Sequence, residues 1–217
     1  GYAEGLKENI SDDPESREFY CDVIMDEAAK MNKLVKNLLT LNQLESGRDE
    51  VTMERFDIVS LIRGVLQSMD IMIQQKEAKV IFEASDPVYV WADEFKIEEV
   101  VTNYTSNALN HLNGEKEIEI RVLPEDDCVR VTVFNTGTPI PEEDIPKLWN
   151  KFYKVDKART REYGGSGIGL SIVRKIIEDH GGKIWANSKL GCGTVMYFVL
   201  RKYQEVPVNE QNTNHRR

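Results

Sequence analysis

The chain is short of the residues that would tie it to several broad functional classes. Only three cysteines occur, Cys21, Cys128 and Cys192, far apart and without the spacing of a thiolate metal site. That excludes a disulfide framework and predicts reduced, buried small side chains in a cytosolic protein. No apolar run approaches the ~18 residues of a membrane span and no cleavable leader is visible, so the polypeptide as it stands is expected to be soluble. Positive charge is in deficit, with 28 Lys and Arg against 37 Asp and Glu and a net charge of −9. This balance argues against nucleic acid as the main partner. An acidic chain that takes an anionic ligand must hold it with local groups and a metal ion.

Glycine, by contrast, is concentrated where it matters. Residues 164–170 read GGSGIGL and open directly into SIVRKIIEDHGG. Closely spaced glycines let backbone amides approach an anion, and a helix that follows adds the positive end of its dipole. Neither common phosphate motif fits this junction. A dinucleotide fingerprint needs a strand before its glycines, and here they follow the charged DKARTREY. A P-loop needs Gly-Lys-Ser/Thr, whereas Gly169 precedes Leu170 and Ser171. If phosphates are held here, a different nucleotide fold holds them.

The front of the chain predicts helix. GYAEGLKENI reads as the end of one helix, and Asp13 then offers an N-cap with Pro14 at the first helical position. From there to about Glu45 no glycine or proline intervenes, and Ile24, Met31 and Leu38 repeat on one face with Ala28, Leu34, Val35 and Leu41 between them. Such a stripe must be buried, most simply against a second copy, otherwise against the chain's own globular part. Residues 46–52 read as a linker. FDIVSLIRGVLQSMDIMIQQKEA carries helical periodicity, KVIFEA and VYVWA read as short strands, and DEFKIEEVVTNYTSNALNHL reads as a helix capped by Asp93. EIEIRVL and CVRVTVFN form an antiparallel pair through the turn residues 124–127. A long irregular stretch over 136–166, with one short helix within 145–152, has the length of a functional loop. A helix follows the glycines, KIWANS and TVMYFVL close the domain, and the tail from about Tyr203 is polar and expected to be disordered. The expected fold is α+β: a two-layer sandwich of three helices on a five-stranded, mixed but mostly antiparallel sheet, preceded by a truncated helical hairpin.

Asn103 and Asn107 lie four apart on the second predicted helix of the globular part and share a face, which Asn110 and His111 extend. Asparagine is a poor helix former, and three of them around Val100, Val101, Ala108 and Leu109 point to a ligand. A neutral amide oxygen suits Mg²⁺ beside phosphates, because that ion keeps most of its waters; Asn107 is the choice for that role. Asn135 ends a strand beside Gly137, where a polar side chain can meet the edge of a flat base or simply serve the turn.

The order NYTSNALNH, VFNTGTPIP, FYKVD, GGSGIGL and GCGT resembles the asparagine, first glycine, phenylalanine, second glycine and third glycine boxes of sensor histidine kinases. These belong to the ATPase group that also contains gyrase B and MutL. The resemblance covers residues 1 to about 201. It implies a Bergerat-type ATP-binding fold over 53–201, a linker over 47–52, the rear of a dimerisation and histidine-phosphotransfer hairpin over 1–46, and a tail over 202–217. It implies that Asn107 ligands Mg²⁺, Asn103 helps position the phosphates of ATP, and Asn110 and His111 line the phosphate and sugar side. Asn135 stands where the family usually has an aspartate that accepts from the adenine amino group, and Pro139 where a second glycine is common. Gly137 and Ile140 belong to the same adenine-side box. Gly165, Gly167, Ile168, Gly169 and Leu170 would close a flap over the triphosphate, Lys154, Arg159 and Arg161 are flap cations able to reach the γ-phosphate, and Thr194 would touch the adenine side.

The resemblance also implies a response regulator as partner, a homodimer in the intact protein, and the cytoplasmic portion of a membrane-anchored sensor. The family's phosphoacceptor histidine sits in a box that would precede this chain. His111, His180 and His215 cannot replace it, and His180 reads as a helix C-terminal dipole partner. The chain is therefore expected to bind Mg-ATP or ADP without phosphorylating itself. The alternative is a nucleotide-dependent interaction module with little kinase activity, motivated by Asn135 and Pro139. Hydrolysis of the MutL or gyrase type would want a glutamate where Asn103 stands.

Overall fold

The computed structural model describes residues 4, 6, 14–47, 50–84, 86–155, 166–189 and 192–204. The elements are α1 (Pro14–Glu45), β1 (Glu54–Asp57), α2 (Ile58–Ser68), α3 (Asp70–Gln75), β2 (Lys79–Phe82), β3 (Tyr89–Ala92), α4 (Glu94–Asn110), β4 (Glu117–Pro124), β5 (Cys128–Asn135), a 3₁₀ turn (Ile145–Lys147), α5 (Gly169–Asp179), β6 (Lys183–Lys189) and β7 (Gly193–Arg201). One mixed sheet of five strands runs β2-β4-β5-β7-β6, parallel only between β2 and β4. The expected α+β sandwich with a five-stranded mixed sheet is what forms.

Alternation dictates the burial. Val129, Val131, Val133 and Asn135 of β5 and Thr194, Met196, Phe198 and Leu200 of β7 are all buried. Against this sheet pack Ile97, Val100, Val101 and Leu109 of α4, Ile172, Val173, Ile176 and Ile177 of α5, and Ile58 and Ile62 of α2. Tyr104 is fully buried at the centre, its ring edge-on to Phe198 at 5.8 Å and its hydroxyl donating to Tyr197 O at 3.1 Å. Burial alone raises the Tyr104 hydroxyl pKa.

Four expectations need correction. VYVWA does not join the main sheet: as β3 it pairs antiparallel with β1, a strand that helical periodicity had hidden, with Arg55 opposite Trp91 and Asp57 opposite Tyr89. The helix expected from Phe56 onward starts at Ile58, because Asp57 caps it by accepting from Val59 N and Ser60 N, and it breaks at Met69 into α2 and α3. The cysteines are not buried: Cys21 and Cys192 are exposed and Cys128 is half-buried. The stripe on α1 is divided. Leu41 and Leu44 are buried where the end of α1 packs on α5, whereas Met31, Val35 and Leu38 are exposed. The N-cap expected at Asp13 and the polar tail beyond Gln204 lie outside the described residues. Among the described residues no helix is long and apolar enough to cross a membrane.

Candidate functional site

The candidate site is built where the C-terminal half of α4, the N-terminus of α5 and the adjoining ends of β5 and β7 converge. Asp93 starts α4 by accepting from Lys96 N at 3.2 Å, and this fixes the rotation that brings Asn103, Asn107 and Asn110 to one half-buried face. Asn103 Nδ2 donates to Glu99 O at 2.9 Å. That bond turns the amide oxygen toward Gly169, where an added Cβ would lie 2.6 Å from Asn103 Oδ1. Gly169 is the first residue of α5, and among the described residues no side chain caps that helix: its N-cap residue is the fully buried Ile168. Ser166 Oγ accepts from Ile168 N at 3.3 Å, one residue outside the helix. The first-turn amides of α5 therefore face the asparagines without a side-chain partner, which is the arrangement of a helix N-terminal anion site. Leu170 is half-buried at the second helical position.

A second cluster lies at the strand ends. Asn135, the last residue of β5, is buried, and its Nδ2 donates to Thr136 O at 3.2 Å. Its register partner on β7 is Thr194. Thr194 Oγ1 lies 3.0 Å from Ser188 Oγ, which accepts from Ile140 N at 2.8 Å. Gly137 is held so close that a Cβ there would stand 2.5 Å from the carbonyl oxygen of His111 and 3.0 Å from Asn135 Nδ2. Gly193, at φ +134°, would place a Cβ 2.1 Å from Asn135 O. Glycine is required at both places by close backbone approach. His111 caps the end of α4, its N–H directed to Asn107 O and Ala108 O, and so joins the two clusters.

The structure thus brings together Asn103, Asn107, Asn110, His111, Asn135, Gly137, Ile140, Ile168, Gly169, Leu170 and Thr194. Gly167 stands beside them at φ +69°, its carbonyl accepting from Phe152 N at 2.8 Å. This bond ties the phenylalanine box to the second glycine box, and Phe152 itself adopts φ +63° there. Lys154 is half-buried just beyond Phe152. Arg159, Arg161 and Gly165 lie outside the described residues.

Sequence reasoning missed three participants. Ser188 sits opposite Thr194 in the β6–β7 register, a placement visible only once those strands are aligned. Tyr153 donates to Asp144 Oδ1 at 2.5 Å while Lys147 pairs with the same carboxylate at 2.9 Å. The tyrosine hydroxyl first and then the lysine hold the Asp144 pKa below the usual range, and the same bond raises that of Tyr153. The third is α1, which reaches the base of the flap: Asn37 Nδ2 donates to Ser166 Oγ at 3.3 Å and Glu45 pairs with Lys151 at 2.7 Å.

His180 needs correction. Its Nδ1 lies 2.7 Å from Ile176 O and its Nε2 accepts from Asp93 N at 3.0 Å. Only the neutral tautomer with hydrogen on Nδ1 satisfies both partners. It is a strut joining the end of α5 to the cap of α4, not a cation on a helix dipole.

Among the described residues no group of three or more His, Cys, Asp or Glu could hold a metal ion. The half-buried face of α4 here carries the neutral amides of Asn103, Asn107 and Asn110. A hollow of about 900 Å³ lined by Arg63, Leu66, Ile73, Val80 and Phe82 lies by the β2 edge, and none of the site residues lines it.

Residues 92–204 match the family described as histidine kinase-, DNA gyrase B-, and HSP90-like ATPase. The sensor protein kinase WalK of Staphylococcus epidermidis is 33% identical over 202 residues, 92% of this chain and 33% of that protein. The chain spans about a third of the length of the curated relatives it matches. The catalytic domain of the histidine kinase ThkA is 36% identical, with a TM-score of 0.61 over 70% of this chain and 96% of that one. ThkA in complex with the response regulator protein TrrA is 30% identical, with a TM-score of 0.75 over 93% of this chain and 57% of that one.

Proposed function

Because this chain belongs to the histidine kinase-, DNA gyrase B-, and HSP90-like ATPases and carries the ATP-binding domain of a sensor histidine kinase, we propose that it is a kinase core. In this reading it holds Mg-ATP for phosphoryl transfer to a histidine and onward to an aspartate of a response regulator. The observation that carries the reading is the uncapped N-terminus of α5, with Gly169 pressed against Asn103 and Asn107 one turn further along α4. Backbone amides and a helix dipole take the phosphates, and a neutral amide on Asn107 leaves Mg²⁺ free to share its charge with them. Asn103 and Asn110 would orient the phosphates and His111 the sugar side. Asn135, Gly137, Ile140 and Thr194 would receive the base, with the Asn135 amide oxygen as acceptor. Lys154, Arg159 and the flap glycines Gly165 and Gly167 would close over the γ-phosphate, supplying positioning and charge neutralisation. Asn135 in place of a carboxylate weakens the base contact by about 1 kcal/mol.

We assign residues 1–46 to the dimerisation hairpin, 47–52 to the linker, 53–201 to the catalytic domain and 202–217 to a tail. A homodimer through α1 fits the exposure of Met25, Met31, Val35 and Leu39. A response regulator as partner fits the likeness to ThkA, and the domain would act at the cytoplasmic face of a membrane-anchored sensor.

Calorimetric titration with Mg-ADP tests the site. Saturable, Mg²⁺-dependent binding is expected, and Asn107→Ala should weaken it at least ~10-fold by loss of one metal contact. Absence of binding by the wild-type chain would overturn the reading. With γ-³²P-ATP the chain should retain no acid-labile label. His180 is committed through both ring nitrogens, and this reading places His111 on the nucleotide itself. Clear incorporation would refute the reading that the acceptor histidine is absent.

A further inference from the structure

At the end of β7 away from Gly193 the fold assembles a second group of cations and rings. β7 runs from Gly193 to Arg201, so its two ends are roughly 26 Å apart at ~3.3 Å per residue. The segment after it adds to β3, with Lys202 bridging Val90 and Tyr203 N donating to Tyr89 O at 3.0 Å. In the β1–β3 register Arg55 lies opposite Trp91, with Tyr89 two residues along on the same face. The Arg55 guanidinium sits 3.6 Å from the centre of the Tyr89 ring and 5.1 Å from that of Tyr203, which in turn leans on Trp91 at 5.9 Å. Beside it a hollow of about 260 Å³ is lined by Arg55, Tyr89, Tyr203 and Lys202, with Pro87 and Pro124 among its walls.

A guanidinium placed over an aromatic ring can still offer its planar N–H fork for two parallel bonds to an oxyanion. Among the described residues no hydrogen bond or ion pair occupies the Arg55 fork. Lys202 spends one donor on Glu125 O at 3.1 Å and has two more. Three acids on the adjoining segments are engaged elsewhere. Asp57 accepts from Val59, Ser60 and Val88, Asp127 accepts from Gln204, and Glu125 pairs with Arg130. The hollow is too small for a nucleotide and suits a single side-chain-sized group. In a chain of net charge −9, two cations over an aromatic floor, neither of them in an ion pair among the described residues, form a local positive site.

We propose that this hollow is a second ligand site, separate from the nucleotide junction, for an oxyanion (a carboxylate or phosphate monoester) carried on an aromatic or prolyl body. The fork of Arg55 and the Lys202 ammonium take the oxygens, and Tyr89, Tyr203 and the two prolines cover the apolar part. The proposal does not depend on ATP binding.

Trp91, outside the hollow but with its ring 5.9 Å from the lining Tyr203, serves as the reporter. With the chain labelled by 5-fluorotryptophan, its ¹⁹F resonance is identified by loss in Trp91→Phe and followed during titration with phenyl phosphate, phenylacetate, inorganic phosphate and benzyl alcohol. The two aryl anions should shift it saturably, and inorganic phosphate and benzyl alcohol should bind at least ~10-fold more weakly, each lacking one half of the recognition. Arg55→Met should weaken phenyl phosphate about 10-fold and Lys202→Met about 3-fold, with Arg55→Lys between them because it keeps charge without the fork. Thermal melts monitor folding, and if Arg55→Met does not fold, Arg55→Lys and Lys202→Met carry the test. No saturable shift up to ~10 mM, a value well above a useful affinity, would overturn the proposal. So would an unchanged response in the Arg55 and Lys202 variants, or inorganic phosphate binding as tightly as phenyl phosphate. A Pro-Glu-Pro peptide in the same titration separates the sources: tighter binding than phenylacetate identifies a protein segment, weaker binding a small molecule.

Discussion

Single glycines and one histidine decide how the candidate site holds together, and they divide into two kinds. At Gly169 the obstacle to a side chain is the amide oxygen of Asn103, 2.6 Å from an added Cβ. Gly169→Ala should leave stability within about 1 kcal/mol, since alanine favours the helix it begins, while pushing Asn103 aside and weakening nucleotide binding about 10-fold. Circular dichroism melts and calorimetry together check this separation. At Gly193 the obstacle is backbone, the Asn135 carbonyl at 2.1 Å, in a φ that L residues avoid. Gly193→Ala should therefore destabilise the fold by about 3 kcal/mol, read by urea unfolding. His180→Ala removes the acceptor of a buried N–H on Asp93 and should cost about 1–3 kcal/mol without touching the nucleotide contacts.

Asp57 belongs to the same scale and gives a pH signature. Partial burial works to raise its pKa, and the bonds it receives from the Ser60 hydroxyl and from Val88, Val59 and Ser60 N–H outweigh that and lower it. A carboxyl whose folded pKa lies below its unfolded value of about 3.9 contributes stability that is present above that pH and lost as pH falls through the folded value. Asp57→Ala should destabilise by about 1 kcal/mol at neutral pH, and the difference from wild type should shrink below about pH 4. Urea unfolding at pH 7 and at pH 3 checks it; a difference that does not narrow in acid refutes the assignment.

At the scale of elements, α1 is unusual in being half committed. Leu41 and Leu44 bury against the globular part, and Asn37 and Glu45 reach the edges of the flap, whereas Met25, Met31 and Val35 remain in solvent. The ion pair between Glu45 and Lys151 is solvent-exposed and adds less than ~1 kcal/mol, so the leucines do the anchoring. Leu41→Asp should free α1 while α4, α5 and the sheet stay folded. Hydrogen exchange should then show lost protection confined to 14–45, and loss spread through the sheet would refute independent docking.

For the whole molecule, the exposed half of α1 sets association. Met31→Glu with Val35→Glu should abolish any concentration-dependent association in sedimentation velocity while leaving Mg-ADP binding intact, because both side chains lie away from the nucleotide junction. Association unchanged by these substitutions would place the contact on another surface. The two ends of the sheet are likewise separable: variants at Arg55 should not alter Mg-ADP binding, and variants at Asn107 should not alter the aryl-anion response.

What the sequence determined by itself is local and periodic. The asparagine face of α4 follows from spacing, the cap at Asp93 from side-chain chemistry, and the β4–β5 hairpin from alternation flanking a turn. The glycine junction follows from the residues' own conformational freedom. The candidate site was legible as a set of positions because its boxes are short and ordered. Tertiary structure decided what depends on partners distant in the chain. A four-residue strand such as β1 exists only because β3 supplies its hydrogen bonds, and Ser188 acquires a role only through the β6–β7 register. His180 becomes a strut because folding brings the end of α5 to the cap of α4. The stripe on α1 could be read, but not how it would be divided, since burial of one face is shared among whatever surfaces the fold presents. The Arg55 hollow belongs wholly to this second kind: residues 55, 89 and 203 share no local pattern, and only pairing of β1, β3 and the segment after β7 brings the guanidinium to the Tyr89 and Tyr203 rings.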